Sequence, residues 1–143
     1  TPAIAAFATA AEIAQTRLNE NAIRIRALRE KLIAGVLRAV PEVRLNGGAN
    51  TLPGIAHFTF AGAEGDALLL LLDAQGVQCS TGSACSAGIA QPSHVLLAMG
   101  MAPKVARSSI RFSIGTATTA EEIERAITVI GEVVSRARAA GVK

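Results

Sequence analysis

Apolar residues at the start of the chain recur in steps of three and four, Ile4, Phe7, Ala11, Ala14, Leu18, Ile25, Leu28 and Leu32, with Asn21 as the interruption. That period places them on one stripe of a helix predicted from about Pro2 to Ala39. Unbroken, the helix would extend ~55 Å at 1.5 Å per residue, more than the width of a domain this size, so part of it must overhang. Residues 1–11 carry no charge, whereas Arg17 to Lys31 is densely charged. The overhanging end is therefore expected to be covered by something else. Together with a start at Thr1 rather than at a methionine, this predicts a piece of a longer protein.

Pro41 closes the helical region, Val43 to Leu45 reads as a short edge strand, and Asn46-Gly47-Gly48 turns. Ile55 to Phe60 then alternates, with Ala56, Phe58 and Phe60 on one face and Ile55, His57 and Thr59 on the other. His57 is thus off the apolar face, where a histidine is more often a satisfied structural residue than a ligand or base. Glu64 to Gln75 predicts a helix closed by Gly76, and the run Leu68 to Leu72 predicts burial on more than one face. Val77 to Cys79 reads as a brief strand, Pro92 to Met99 as a helix ending at Gly100, and Pro103 to Ala106 as a further turn.

Ser109 to Ile114 alternates again, with Ile110, Phe112 and Ile114 inward, which leaves Arg111 as a cation in mid-strand on a polar face. Thr119 and Glu122 have capping-box spacing and open a last helix with Ile123, Ile127, Ile130, Val134 and Ala137 on one stripe. The pattern predicts one domain over residues 1–143, a two-layer α/β sandwich with a small sheet of three or four strands and helices packed on it.

Half of the residues are hydrophobic and mean hydropathy is +0.40, enough for a core and against disorder. The net charge of +3 comes from interleaved basic and acidic residues, and with no Trp or Tyr there is little on which to stack bases. Direct nucleic-acid binding is not expected. No apolar run reaches the ~18 residues of a membrane span and no secretory leader opens the chain, so a cytosolic protein is predicted.

Both cysteines lie in a stretch of small residues. Cys85 sits between Gly82 and Gly88, among Ser83, Ala84, Ser86 and Ala87, where no bulky neighbour shields it and bending is cheap. A thiol there can move and be reached. Long connections without structure of their own lean towards function. A helix beginning near Pro92 would present its positive end, which favours the thiolate if Cys85 swings towards it. Cys79, following Val77 at a strand end, reads instead as a small buried hydrophobe. Without a secretory leader, the pair reads as free thiols rather than a disulfide. A metal site from Cys79, Cys85, His57 and His94 ranks low, because the cysteine spacing fits no common zinc knuckle.

Gly82-Ser83-Ala84-Cys85, then Gln91-Pro92-Ser93-His94-Val95-Leu96, then Arg107-Ser108-Ser109-Ile110-Arg111-Phe112-Ser113-Ile114-Gly115 resembles the C-terminal small domain of group I cysteine desulfurases, the NifS/IscS type of fold-type I pyridoxal-phosphate enzyme. The resemblance runs the length of the chain. It implies that Cys85 is the nucleophile that takes sulfur from L-cysteine as a persulfide, leaving L-alanine, and that Arg111 grips the substrate carboxylate. The bland alternative for Arg111 is a surface ion pair. The resemblance also implies pyridoxal 5'-phosphate in the parent, whose Schiff-base lysine, in a Ser-His-Lys setting, belongs to a large domain absent from this chain. Lys31, Lys104 and Lys143 match none of it, so this chain alone is expected neither to bind the cofactor nor to turn over cysteine. The family's acid-base histidine also lies in the other domain, so His94 reads as an exposed helix residue. Implied partners are an iron-sulfur scaffold, a tRNA-thiolating enzyme or another sulfur acceptor, and a second copy in a homodimeric parent. Rival readings are a stand-alone persulfide carrier that docks a scaffold, and a selenocysteine lyase or transaminase of the same fold group.

Overall fold

The computed structural model describes residues 1–82 and 91–141. The described elements are helices α1 (Pro2–Thr16) and α2 (Leu18–Ala39), strands β1 (Val43–Leu45) and β2 (Ile55–Phe60), helices α3 (Gly65–Ala74), α4 (His94–Ala98) and α5 (Pro103–Ala106), strand β3 (Ser109–Ser113) and helix α6 (Ala120–Gly141). Cys85 and Lys143 lie outside the described residues, as does most of the small-residue stretch.

The first helical region is two helices rather than one. Arg17 leaves helical geometry at φ −94° and ψ 1°. Backbone bonds nonetheless bridge the break, from the Arg17 N–H to the Ile13 carbonyl at 3.1 Å and from the Asn21 N–H to the Arg17 carbonyl at 3.0 Å. Helix α1 buries no residue, and Ile4 and Phe7 are 70% and 77% exposed. The apolar overhang predicted by the charge pattern is therefore present. Helix α2 turns Leu32, Ile33 and Val36 into the core, and packs along α6. At the crossing, a Cβ on Gly35 would run into the Ile127 side chain and force it to move, so the glycine lets the two helices approach closely.

The three strands form an antiparallel sheet in the order β1-β2-β3, with Phe58 of β2 paired to Leu45 and to Ile110. One face follows the predicted alternation: Ala56, Phe58, Phe60, Ile110 and Phe112 are buried with residues of α2, α3 and α6. Phe58 packs edge-on against Phe112, ring centroids 6.1 Å apart. The reciprocal capping box opens α6 as expected, with the Thr119 N–H donating to Glu122 Oε2 at 2.8 Å and the Glu122 N–H donating to Thr119 Oγ1 at 3.2 Å.

Three expectations change. Helix α3 buries Leu68 and Leu72 but leaves Leu70 71% exposed, so it packs by one face only. An apolar run alone does not say which positions find a neighbour. Val77 to Cys79 is not a strand. Gly76, at φ +76°, closes α3 by donating to the Asp73 carbonyl, and the Val77 N–H is spent on the Leu72 carbonyl at 2.9 Å. The segment meets the sheet through one bridge, in which Ser80 and Arg111 exchange both backbone bonds at 3.0 and 2.7 Å. Helix α4 is a five-residue turn that starts after Ser93, so Pro92 does not sit in its first turn. No helix among the described residues is long and apolar enough to cross a membrane.

Candidate active site

The face of the sheet away from the core carries the polar residues. In the register, His57 of β2 stands opposite Arg111 of β3, and Thr59 opposite Ser109. Because the Arg111 backbone N–H and carbonyl are both taken by Ser80, His57 and Arg111 form the non-hydrogen-bonded kind of antiparallel pair, in which side chains on one face come closest. Both line a cavity of about 350 Å³. Its apolar wall includes Leu52, Val95, Leu96 and Met99.

Two further cavity residues, Asn46 and Arg29, were not singled out by sequence. Asn46 follows β1 and its Nδ2 donates to His57 Nδ1 at 2.9 Å and to Thr59 Oγ1 at 2.8 Å. Thr59 Oγ1 in turn lies 2.8 Å from Ser109 Oγ, in the interior of the sheet face. Asn46 Oδ1 is buried and finds no partner among the described residues. Burial first, and the Arg111 charge second, push the His57 pKa below its ordinary value, so the ring is neutral near pH 7.

Arg29 is buried, with Nε donating to the Ile55 carbonyl at 2.6 Å and Nη1 paired to Glu30 Oε1 at 2.6 Å. Its partner carboxylate is adjacent in sequence, so its charge is answered locally. A signal for Arg29 was available: it falls on the same stripe as Ile25, Leu32 and Val36, where a cation must find a buried partner.

Arg111 is otherwise free in a specific sense. Among the described residues no carboxylate lies within ion-pair distance of it, so the surface ion pair is not what this arginine makes there. A guanidinium at a cavity, unpaired by the described residues, is suited to a carboxylate ligand through its two-donor fork.

Gly82, three positions before Cys85, lines the same cavity, and so does Ser93. A Cβ built on Gly82 would lie 3.6 Å from Ser93 Cβ, so these two described residues, one before Cys85 in the chain and one after it, come together on the cavity wall. Gly82 reaches this place with φ +121°, a conformation that favours glycine.

The remaining candidates stand elsewhere. His94 is exposed at the first position of α4, as expected. Cys79 is half-buried against the core, beside Leu69, Leu70 and Asp73, and does not line the cavity with Arg111. Burial, and then the Asp73 charge, push its thiol pKa up to about 11. At pH 8 iodoacetamide should therefore label Cys79 roughly a hundredfold more slowly than an ordinary cysteine, which peptide mass spectrometry checks. Among the described residues no three His, Cys, Asp or Glu side chains stand close enough to hold a metal ion. Lys31 pairs with Glu124 on the α2–α6 side and Lys104 sits on α5; neither lines the cavity.

Known proteins point the same way. Residues 1–126 match the family described as aminotransferase class-V. The chain is 53% identical over 136 residues to an IscS-like cysteine desulfurase of Mycobacterium tuberculosis, covering 94% of this chain and 35% of that one. It is 40% identical over 136 residues to the cysteine desulfurase NifS of Azotobacter vinelandii, covering 94% and 34%. The solved structure of a NifS-like protein from Rickettsia africae superposes with a TM-score of 0.80 at 29% identity, over 93% of this chain and 34% of that one. The chain thus spans about a third of the length of the curated relatives it matches. On its sequence match and its fold, this chain belongs to the aminotransferase class-V family.

Proposed function

We propose that this chain is the small, thiol-bearing domain of a cysteine desulfurase, with Arg111 as ligand of the L-cysteine carboxylate and Cys85 as the nucleophile. The observation that carries it is the meeting of Gly82 and Ser93 on the wall of the cavity that Arg111 lines. Three residues of extended chain span at most about 11 Å, so the tether from Gly82 lets the Cys85 thiol reach that cavity. In the proposed reaction the Cys85 thiolate attacks the sulfur of cysteine. An S–S bond forms, the substrate C–S bond breaks, and the carbon gains a proton and leaves as alanine. The sulfur stays on Cys85 as a persulfide. The overall exchange is redox-neutral, the carbon being reduced and the two sulfurs oxidised.

No lysine lines the cavity, so the described residues offer pyridoxal phosphate no Schiff-base partner there. The proposal places the cofactor and its Schiff-base lysine in a large domain outside this chain, and this chain alone is then inactive. Sulfur passes on to an acceptor such as an iron-sulfur scaffold, in a homodimeric, cytoplasmic parent. A stand-alone persulfide carrier fits less well, because a free-standing module would not leave Ile4, Phe7 and Ile13 uncovered on α1. The test is to supply the full-length protein with L-cysteine and map the product by peptide mass spectrometry. The expected result is a gain of one sulfur atom on the peptide bearing Cys85 and none on the peptide bearing only Cys79. Sulfur found elsewhere, or nowhere, sinks the proposal.

A further inference from the structure

We propose that His57 is a second carboxylate ligand of the cavity, its Nε2–H donating beside the Arg111 guanidinium, and that Asn46 is the positioning residue that fixes this tautomer. The proposal rests on reading Arg111 as the carboxylate ligand and adds a partner to it.

The tautomer follows from hydrogen counting. In this orientation of the amide, Asn46 Nδ2 can only donate, so the imidazole Nδ1 that meets it at 2.9 Å accepts. A neutral ring then carries its proton on Nε2. The second Nδ2 hydrogen goes to Thr59 Oγ1, which lies 2.8 Å from Ser109 Oγ, where either hydroxyl can donate. The Asn46 backbone is held as well, its N–H donating to the His57 carbonyl at 2.7 Å. Among the described residues Nε2 has no partner of its own.

The surroundings call for an anion. The groups facing His57 are Arg111 from β3 and, from α2, Arg29, whose charge is paired to Glu30. Arg44 on β1 stands opposite Thr59, one pair further along. Helix α4 and its N-cap contribute Ser93, Val95, Leu96 and Met99 to the cavity, none of them charged. Two donors, the Arg111 guanidinium and the Nε2–H of the ring that Asn46 orients, thus line one cavity with no described carboxylate between them. An anion on Arg111 would offset one of the two influences that hold the His57 pKa down, so carboxylate binding should draw a proton towards His57.

His57 and His94 are the only histidines of this chain, and ¹⁵N NMR of the full-length protein, with the His57 signals assigned through His57→Gln, follows the ring nitrogens. His57 is expected to show the Nε2–H tautomer near pH 7.5. Propionate, but not the neutral propionamide, should raise the His57 titration midpoint, shift the Arg111 Nε signal and leave His94 unmoved. Asn46→Ala should lose the single-tautomer signature and weaken propionate about two- to tenfold, the worth of one neutral hydrogen bond. A shift of Arg111 with no change in His57 would overturn the inference and leave the Arg111 reading standing; no shift in either overturns both. A pure Nε2–H tautomer in Asn46→Ala would remove Asn46 from the account.

Discussion

Cys85→Ser in the full-length protein is expected to lower L-alanine release from L-cysteine by at least about a thousandfold. A serine hydroxyl is not ionised near neutral pH, and oxygen cannot form the S–S bond on which the proposed step depends. The small-residue setting of position 85 makes the swap nearly isosteric, so binding of cysteine should persist while turnover stops. Alanine measured by chromatography, with circular dichroism to confirm folding, decides the matter. Cys79→Ser is the control. Its thiol, with a pKa of about 11, is held protonated beside Asp73 and does not line the Arg111 cavity. Undiminished alanine from Cys85→Ser would mean that another group breaks the C–S bond.

Arg111→Gln comes second in size. Removing one member of a charge-assisted pair costs about 2–5 kcal/mol, so kcat/KM for L-cysteine should fall roughly thirtyfold to several-thousandfold. Lysine should restore little, because a point charge lacks the planar fork that meets a carboxylate with two bonds. The fold is expected to survive. Arg111 is exposed, and its contributions to the sheet are the backbone bonds to Ser80, which any residue at that position can make. Equal melting temperatures for variant and parent, with kcat/KM reduced, would mark a ligand. A melting temperature that falls with kcat/KM unchanged would mark a structural arginine and sink the assignment.

Much of the architecture was legible because its signals are local. The two-residue alternation at Ile55–Phe60 and Ser109–Ser113 requires only that one face of a strand be dry, and both strands form with the expected side inward. The spacing of Thr119 and Glu122 works within one helical turn and caps α6 as read. Uncharged residues 1–11 beside a charged stretch foretold the uncovered face of α1. The order of motifs around Cys85 and Arg111 pointed to the family, since it is a property of the chain itself.

What escaped the sequence depends on which distant residues become neighbours. Asn46, just after β1, Thr59 on β2 and Ser109 on β3 form one chain of bonds, and their spacing along the backbone does not encode that register. Leu70 and Val77 went astray for the related reason that an apolar or β-prone residue joins a core or a ladder only where a partner stands opposite with its groups unspent. By itself, then, the sequence determined the strands β1, β2 and β3, the inward faces of β2 and β3, the capped start of α6 and the order of the motifs around Cys85. Tertiary structure alone decided that Arg111 shares a cavity with His57 and Asn46, and that Gly82 and Ser93 line it too, because proximity across strands is set by pairing and packing rather than by order along the chain.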